Sequence, residues 1–231
     1  VKCVGLILEG CRDGRRLADA VRRTCAMGKP VVLLKVGRSP VAAKQMASHT
    51  GSLAGSAELF ELAVAEAGAS VAHDEMEFVD ALVIHAHGKA PRSRRIGVVS
   101  MSGGFAILAL DAALDAGLEL PQPVVAPSAE QEPHLRSGTL ANPFDYQSIG
   151  GTVPQTIRRS LEWMLGQPNM DAVVIWQAFG LLALEERRKR LEADLVSIMP
   201  HYKTPLFGCG LTTPAFEERL RELGVLWFEE P

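Results

Sequence analysis

Short runs of valine, isoleucine and leucine alternate with helix-patterned stretches along the 231 residues of this chain, and this alternation constrains the fold more than any other feature. The strand-like runs span residues 4–8, 31–36, 69–72, 96–101, 172–176, 205–208 and 225–228, with a weaker candidate at 124–125. Helical patterns span residues 13–27, 52–67, 74–86, 105–116, 152–165, 185–199 and 214–223. Strands that alternate with helices of this length form parallel sheets with helices on both faces. The sequence therefore predicts an α/β protein.

A polar, basic segment that contains a proline (GKAPRSRR, residues 88–95) separates two sets of elements. We predict a first module at residues 1–88, a linker at 89–95 and a second module at 96–231. The second has about five strands, whereas the first has about three, which gives a small core and an unprotected sheet edge. We therefore expect the first module to lack its N-terminal half or to lean on another domain, which favours an oligomer. Because the chain begins with Val1, we also expect a fragment or one module of a longer polypeptide.

Composition excludes several classes of function. The net charge of −3 does not favour binding to nucleic acid or to an anionic membrane, and no apolar run approaches the roughly 18 residues that a membrane span needs. The four cysteines form no CxxC pair, which indicates reduced thiols in a cytoplasmic protein. The pair His85 and His87 lacks an evident third ligand, so no metal site is predicted. The chain contains neither a Walker loop nor a GxGxxG motif.

Candidate chemistry collects after the predicted strands, where open parallel sheets bind their ligands. Glu9 ends the first strand, and His49 lies in a segment rich in small residues, 37–51, that we predict to be a loop opening a helix. Backbone N–H groups near Gly51 and Ser52, together with the helix N-terminus, suit an anion. A neutral imidazole beside a bound phosphate can accept and carry a phosphoryl group. A surface histidine next to glycines that only form turns is the alternative.

Three features, including Glu9, each have two interpretations. Glu9 is either the acidic group of a helix N-terminus or a carboxylate that orients an imidazole. The turn Ser102-Gly103-Gly104 is either a second phosphate-binding helix N-terminus or only a close connection between strand and helix. The segment NPFD (residues 142–145) is predicted to be a turn, with Asp145 either structural or facing the site.

The motifs together resemble a known family. The segment SHTGSLAGS (residues 48–56), preceded by KVGRS (35–39), resembles the phosphohistidine segment of the NDP-forming acyl-CoA synthetases, relatives of succinyl-CoA synthetase. LILEGCRDGRR (6–16) is similar to the segment in which that family sets a carboxylate against the histidine. VVSMSGGFAILALDAALDAGLELP (98–121) and ANPFDY (141–146) resemble the second flavodoxin-like domain of the family.

The resemblance implies two flavodoxin-like modules of three layers with parallel sheets, the first one incomplete. It implies a reaction that interconverts acid, CoA and ATP with acyl-CoA, ADP and phosphate through a phosphohistidine, here His49. Glu9 would steady the imidazole, and the turn at residues 102–104 would hold phosphate. CoA and ATP or ADP with magnesium would be substrates, alongside a small carboxylic acid, and no tightly bound cofactor is expected. The family also implies CoA-binding and ATP-grasp domains as partners.

The chain departs from the family pattern in two respects. The CoA-binding domain, the first half of the histidine domain and the ATP-grasp domain do not occur within these residues, so the isolated chain is expected not to complete a turnover. Phe105-Ala106 stands where many relatives have Pro-Gly, which puts the phosphate-binding turn in doubt. A non-catalytic module that binds CoA or a partner domain, and a flavodoxin-like FMN protein, are the competing hypotheses.

Overall fold

The computed structural model describes residues 1–50, 56–89, 91–136, 138–146, 153–177, 182 and 184–229. The chain divides into two compact units, unit 1 (Val1–Ala86) and unit 2 (His87–Pro231).

The described residues of unit 1 form a parallel sheet in the order β1-β2-β3, with the register Val4↔Val31 between the first two strands. The elements in chain order are β1 (Val4–Leu8), α1 (Gly14–Ala26), β2 (Val31–Lys35), α2 (Pro40–Thr50), α3 (Ala57–Glu66), β3 (Ser70–Ala72) and α4 (Glu75–His87). The Asp13 side chain caps α1 by accepting a hydrogen bond from the Arg16 backbone N–H at 3.0 Å. Gly28, with φ of 68°, follows the end of this helix.

The core of unit 1 lies on both faces of the central strand β2. On one face, Leu33 packs with Val21 of α1 and Val64 of α3. On the other face, Val32 packs with Phe78 of α4. The outer strand β1 is only half buried, and Ile7 is 61% exposed. Unit 1 therefore has helices on both faces of its sheet, as predicted, but an open outer strand.

Unit 2 contains a five-stranded parallel sheet in the order β5-β4-β6-β7-β8. Its elements in chain order are β4 (Ile96–Ser100), α5 (Gly103–Asp115), α6 (Glu132–Leu135), β5 (Phe144–Asp145), α7 (Val153–Leu165), β6 (Ala172–Trp176), α8 (Glu185–Ile198), β7 (Leu206–Cys209), α9 (Pro214–Glu222) and β8 (Leu226–Phe228). The order places β6 at the centre, and every residue of the neighbouring strand β4 is buried.

The two faces of the unit 2 sheet are covered unequally. Residues of α7, α8 and α9 pack with Val99, Val173 and Ile175 in the largest core cluster. On the other face α5 packs against Ile96 and Val98 through small residues, among them Ala109 and Ala113. The predicted fold class, α/β with parallel flavodoxin-like sheets, is confirmed.

Two predictions for unit 1 are wrong in detail. The segment at residues 37–51 was predicted to be a loop, but most of it forms α2. Ser39 caps this helix by accepting a hydrogen bond from the Ala42 N–H at 3.1 Å, and Pro40 occupies the first turn, where its missing N–H costs nothing. The helix predicted from residue 52 begins at Ala57 in the described part of the chain, because Ser56 accepts a hydrogen bond from the Leu59 N–H.

Two predictions for unit 2 are also wrong. Residues 124–125 form no strand, because the Gln167 side-chain oxygen accepts hydrogen bonds from the backbone N–H groups of Val124 and Val125, both at 2.9 Å. The fifth strand is instead β5, which lies in the segment predicted to be only a turn and pairs with the carboxyl end of β4. Within the described residues, no helix is both long and apolar enough to cross a membrane.

Candidate functional site

The carboxyl edge of the unit 1 sheet brings Glu9 and Lys35 together. β1 and β2 pair in parallel with Leu8 opposite Lys35, so Glu9 follows β1 at the point where β2 ends. The Lys35 ammonium donates hydrogen bonds to the backbone oxygens of Glu9 at 2.7 Å and Val36 at 2.5 Å. The residue is only 5% exposed, so its charge is held inside the edge of the sheet. A buried lysine thus fixes the backbone that carries the predicted orienting carboxylate.

Burial and nearby carboxylates act on Lys35 in opposite directions. Burial lowers the pKa of its ammonium, because the charged form loses hydration, while the charges of Glu61 and Glu9 partly restore it. Glu61 belongs to α3 and forms an ion pair with Arg38 at 2.7 Å. The segment that follows β2 is therefore tied to α3 by a charged contact beside the candidate site. Analysis of the sequence identified neither Lys35 nor Glu61 as a site residue.

His49 lies within α2 (Pro40–Thr50), in the segment that was predicted to be a loop. The side chain of His49 lies outside the described part of the structure, as do Gly51 and Ser52. The predicted contact between Glu9 and His49 stays a prediction, as does the phosphate-binding role of Gly51 and Ser52.

The carboxyl edge of the unit 2 sheet holds the turn Ser102-Gly103-Gly104. Ser102 has extended backbone angles (φ −149°, ψ 135°) and precedes α5, whose first turn contains no acidic residue. The Ser100 hydroxyl donates to the Ser102 carbonyl at 3.1 Å and fixes the turn. A side chain added at Gly104 would meet nothing closer than the Ser102 hydroxyl at 3.9 Å. The first turn of α5 is thus open to an anion on its Gly104 side.

A carboxylate occupies the other side of this turn. Ser100 pairs with Asp145 across β4 and β5, and Asp145 Oδ2 lies 3.3 Å from the position that a Cβ atom on Gly103 would take. A negative charge at a helix N-terminus is favourable, and it competes with a bound anion for the same positive end of the helix. Asp145 therefore lies beside the predicted phosphate-binding turn, 42 positions away in the sequence.

The departure at Phe105-Ala106 is accommodated by packing. The Phe105 ring contacts the Trp176 ring edge to face, with centroids 4.7 Å apart and planes at 83°. Ala106 is buried against the sheet at 4% exposure. Phe105 thus anchors the first turn of α5 to the end of β6, and the turn keeps a helical start without the Pro-Gly pair.

One member of the pair His85 and His87, for which no metal site was predicted, has a structural contact. The His85 ring nitrogen Nε2 lies 3.2 Å from the Ser70 hydroxyl, a contact between α4 and β3 that explains this histidine structurally. Among the residues that the structure describes, no group of three or more His, Cys, Asp or Glu side chains could hold a metal ion.

Comparison with known proteins shows which proteins the first unit and the whole chain are similar to. Residues 1–85 match the family described as succinyl-CoA ligase like flavodoxin domain. The whole chain aligns at 27% identity with half of the alpha subunit of ADP-forming acetate–CoA ligase II from Pyrococcus furiosus. A segment covering 52% of the chain is 38% identical to 17% of the ADP-forming acetate–CoA ligase from Methanocaldococcus jannaschii.

A solved structure shows the same fold. Acetyl-coenzyme A synthetase 1 of Ca. Korarchaeum cryptofilum, solved with phosphate and ADP, superposes with a TM-score of 0.76 over 99% of this chain and 50% of its own, at 22% identity. The relationship to the NDP-forming acyl-CoA synthetases that the sequence motifs indicate is confirmed. The chain spans between 17% and 50% of the length of the curated relatives named here.

Proposed function

We propose that this chain is the phosphohistidine-bearing part of an NDP-forming acyl-CoA synthetase. One observation carries the proposal: the chain aligns from end to end with half of an ADP-forming acetate–CoA ligase alpha subunit, and it contains the histidine segment at residues 48–56. In this proposal residues 1–88 are the C-terminal part of the histidine domain, and residues 96–231 are the second flavodoxin-like domain. The acid substrate is a small carboxylic acid.

The proposed reaction proceeds in three balanced steps. The γ-phosphoryl group of ATP, delivered with magnesium, moves to a ring nitrogen of His49 and releases ADP. The carboxylate of the acid then attacks phosphohistidine, which forms an acyl phosphate and frees the imidazole. The thiol of CoA displaces phosphate from the acyl phosphate, and the thiol proton leaves to solvent. All three steps are reversible.

The residues at the two carboxyl edges have distinct proposed roles. Glu9 accepts a hydrogen bond from one nitrogen of the His49 ring and leaves the other free to attack. The Lys35 ammonium holds the Glu9 backbone in place and adds positive potential to that edge. The N–H groups near Gly51 and Ser52 stabilise the transferring phosphoryl group, and the turn at Ser102-Gly103-Gly104 binds phosphate.

The proposal requires partners for the remaining steps. A CoA-binding domain and an ATP-grasp domain, on a longer polypeptide or on another subunit, would supply CoA and nucleotide. The designation of the Pyrococcus furiosus relative as a subunit alpha supports assembly with a second subunit. The isolated chain is expected to be inactive.

The experiment that tests this function measures acyl-CoA formation by the natural full-length assembly. CoA, ATP, magnesium and a panel of small carboxylic acids are supplied, and acyl-CoA and ADP are quantified. We expect stoichiometric formation of both, lost by at least 1000-fold in His49→Asn, as expected when the carrier of a covalent intermediate is removed. Unchanged activity in His49→Asn would overturn the proposal. Binding of CoA without turnover in the intact assembly would instead support a non-catalytic module.

A further inference from the structure

A pocket of about 210 Å³ opens at the amino edge of the unit 2 sheet, opposite the edge that carries Ser102. Its walls come from the segments that precede three strands: Arg92 before β4, Asp171 before β6 and Thr204 before β7. Because these strands are parallel, their starting points meet at one edge. The pocket is thus separate from the carboxyl edge to which the proposed phosphoryl chemistry belongs.

The one carboxylate in the pocket wall is already neutralised. Asp171 Oδ2 accepts hydrogen bonds from Arg95 Nε at 2.7 Å and from the Ser93 hydroxyl at 2.5 Å. These two donors, with the charges of Arg95 and Arg92, hold the pKa of Asp171 below its usual range. Asp171 is therefore matched to Arg95, which does not line the pocket.

Three exposed cationic side chains line the pocket. Lys89, Arg92 and Lys203 form no ion pair or side-chain hydrogen bond with any residue that the structure describes. Three like charges around one opening create a positive potential that attracts anions. The arrangement therefore favours a negatively charged ligand.

The neutral polar groups of the pocket are committed to the fold. The Gln167 amide bonds the backbone of Val124 and Val125 through its oxygen, and Val125 and Trp163 through its nitrogen. The Thr204 hydroxyl donates to the Leu165 carbonyl at 3.2 Å. The cations are thus the groups left to bind a ligand. The apolar part of the wall includes Met170, which is 4% exposed.

We propose that this pocket binds a multiply charged phosphate anion, either free or at the end of a nucleotide. The volume lies below the roughly 300–1,000 Å³ of pockets that enclose a whole drug-sized ligand, so it suits a phosphate group better than a complete nucleotide. Arg92 can offer two parallel N–H donors, and Lys89 and Lys203 add mobile point charges. This site is independent of the proposed function, because it uses none of the residues assigned to that reaction.

The test follows the methyl groups of the methionines in the full 231-residue chain by NMR during titration with pyrophosphate at constant ionic strength. We expect saturable shifts of the Met170 methyl group, while the methyl group of Met27 in unit 1, which is 69% exposed, does not move. Titration with ADP identifies the source: saturable shifts of Met170 by both ligands indicate the phosphate end of a nucleotide, and shifts by pyrophosphate alone indicate a free anion. Absence of saturable Met170 shifts with both ligands overturns the proposal.

Charge-removing variants provide the matched control. We expect Arg92→Gln and Lys203→Gln each to raise the dissociation constant about tenfold, the effect of losing one charge-assisted hydrogen bond. Arg190→Gln removes the same charge from the exposed surface of α8 and should leave the dissociation constant within twofold. Equal weakening by all three variants would show only nonspecific electrostatic attraction and would overturn the proposed site.

Discussion

The Lys35 ammonium donates a 2.7 Å hydrogen bond to the backbone oxygen of Glu9, across the carboxyl ends of β1 and β2. The contact joins a buried charge to the residue proposed to orient His49. Lysine is rarely found this deep without a compensating partner, and here two carbonyl oxygens and two nearby carboxylates fill that role. The edge of unit 1 is therefore held in place by a residue whose removal should have local consequences.

Replacing Lys35 by methionine should destabilise this edge. The substitution keeps the aliphatic stem but leaves the Glu9 and Val36 oxygens without their donor, which we expect to cost about 2 kcal/mol. Native-state hydrogen exchange of peptides from β1 and β2 measures the loss. Lys29→Met, at an exposed position before β2, is the control and should have little effect. Equal protection of β1 and β2 in both variants would contradict the structural role of Lys35.

Asn142 should be among the most sensitive polar residues of unit 2. Its side chain accepts from the Val98 N–H at 2.9 Å and donates to the oxygens of Ile96 at 2.8 Å and Pro121 at 3.0 Å, at only 5% exposure. Asn142→Ala removes all three bonds, and we expect a loss of about 3 kcal/mol in the free energy of unfolding.

Tryptophan fluorescence during urea unfolding reports this loss, because all three tryptophans lie in unit 2. The control is Asn169→Ala, which removes one side-chain hydrogen bond to the Gln122 oxygen and should cost about 1 kcal/mol or less. If Asn142→Ala costs no more than Asn169→Ala, the three bonds of Asn142 do not support the sheet as described.

Gly208 should tolerate no side chain. A Cβ atom there would overlap the six-membered ring of Trp227, whose N–H is fixed by a 2.7 Å bond to the Gly210 oxygen. We expect Gly208→Ala to lower the free energy of unfolding by about 3 kcal/mol, the scale of overpacking in a rigid core. Gly104→Ala, where the space is open, should stay within about 0.5 kcal/mol. The same urea titration compares the two, and similar stabilities would refute the packing of Trp227 over β7.

Alkaline pH should weaken unit 2 through Cys209. Burial raises the pKa of this thiol to about 12, whereas in the unfolded chain it is about 8.5. Above that lower value the unfolded state releases the proton and the folded state keeps it, so stability falls as pH rises. Between pH 8 and pH 10 the expected loss is about 2 kcal/mol.

The Cys209→Ala variant isolates this contribution, because Tyr146 and other groups titrate in both proteins. The variant is less stable at pH 8, since it leaves a cavity, but its stability should fall less between pH 8 and pH 10 than that of the unmodified chain. An identical fall in both proteins would show that the Cys209 thiol titrates normally in the folded state.

The sequence predicts buried strands well where the signal is local. The run of five apolar residues at 172–176 coincides with β6, and the Val/Leu run at 31–36 gives β2 to within one residue. In both cases a short apolar run has helical patterns before and after it. The length of the run and the spacing of its apolar residues therefore both predict a strand. The fold class follows from this alternation alone.

The prediction of secondary structure is wrong at α2, where a local helix signal is present, and at β5, where pairing with a distant strand determines the structure. The prediction of a loop at residues 37–51 rests on their glycine, serine and alanine content. It is wrong because Ser39-Pro40, followed by Ala, Lys, Gln and Met, is typical of a helix start. Strand β5 was missed because its pairing with β4 spans about 45 positions.

In the candidate site, too, the features that local sequence determines are predicted, and those that depend on distant residues are not. Glu9 could be placed at the strand edge from its position in the sequence, but Lys35 could not be recognised as buried, because a lysine that ends a strand ordinarily projects into solvent. The approach of Asp145 to Gly103 likewise depends on the pairing of β5, which no local pattern reveals.

The central claim is that His49 carries a phosphoryl group. The direct measurement supplies the natural full-length assembly with ATP labelled at the γ-phosphate and magnesium, then maps acid-labile, base-stable phosphate by mass spectrometry. We predict label on the peptide that contains His49, absent in His49→Ala and reduced in Glu9→Gln, where the orienting carboxylate is lost. No label on this peptide, in an assembly shown to bind ATP, would contradict the account.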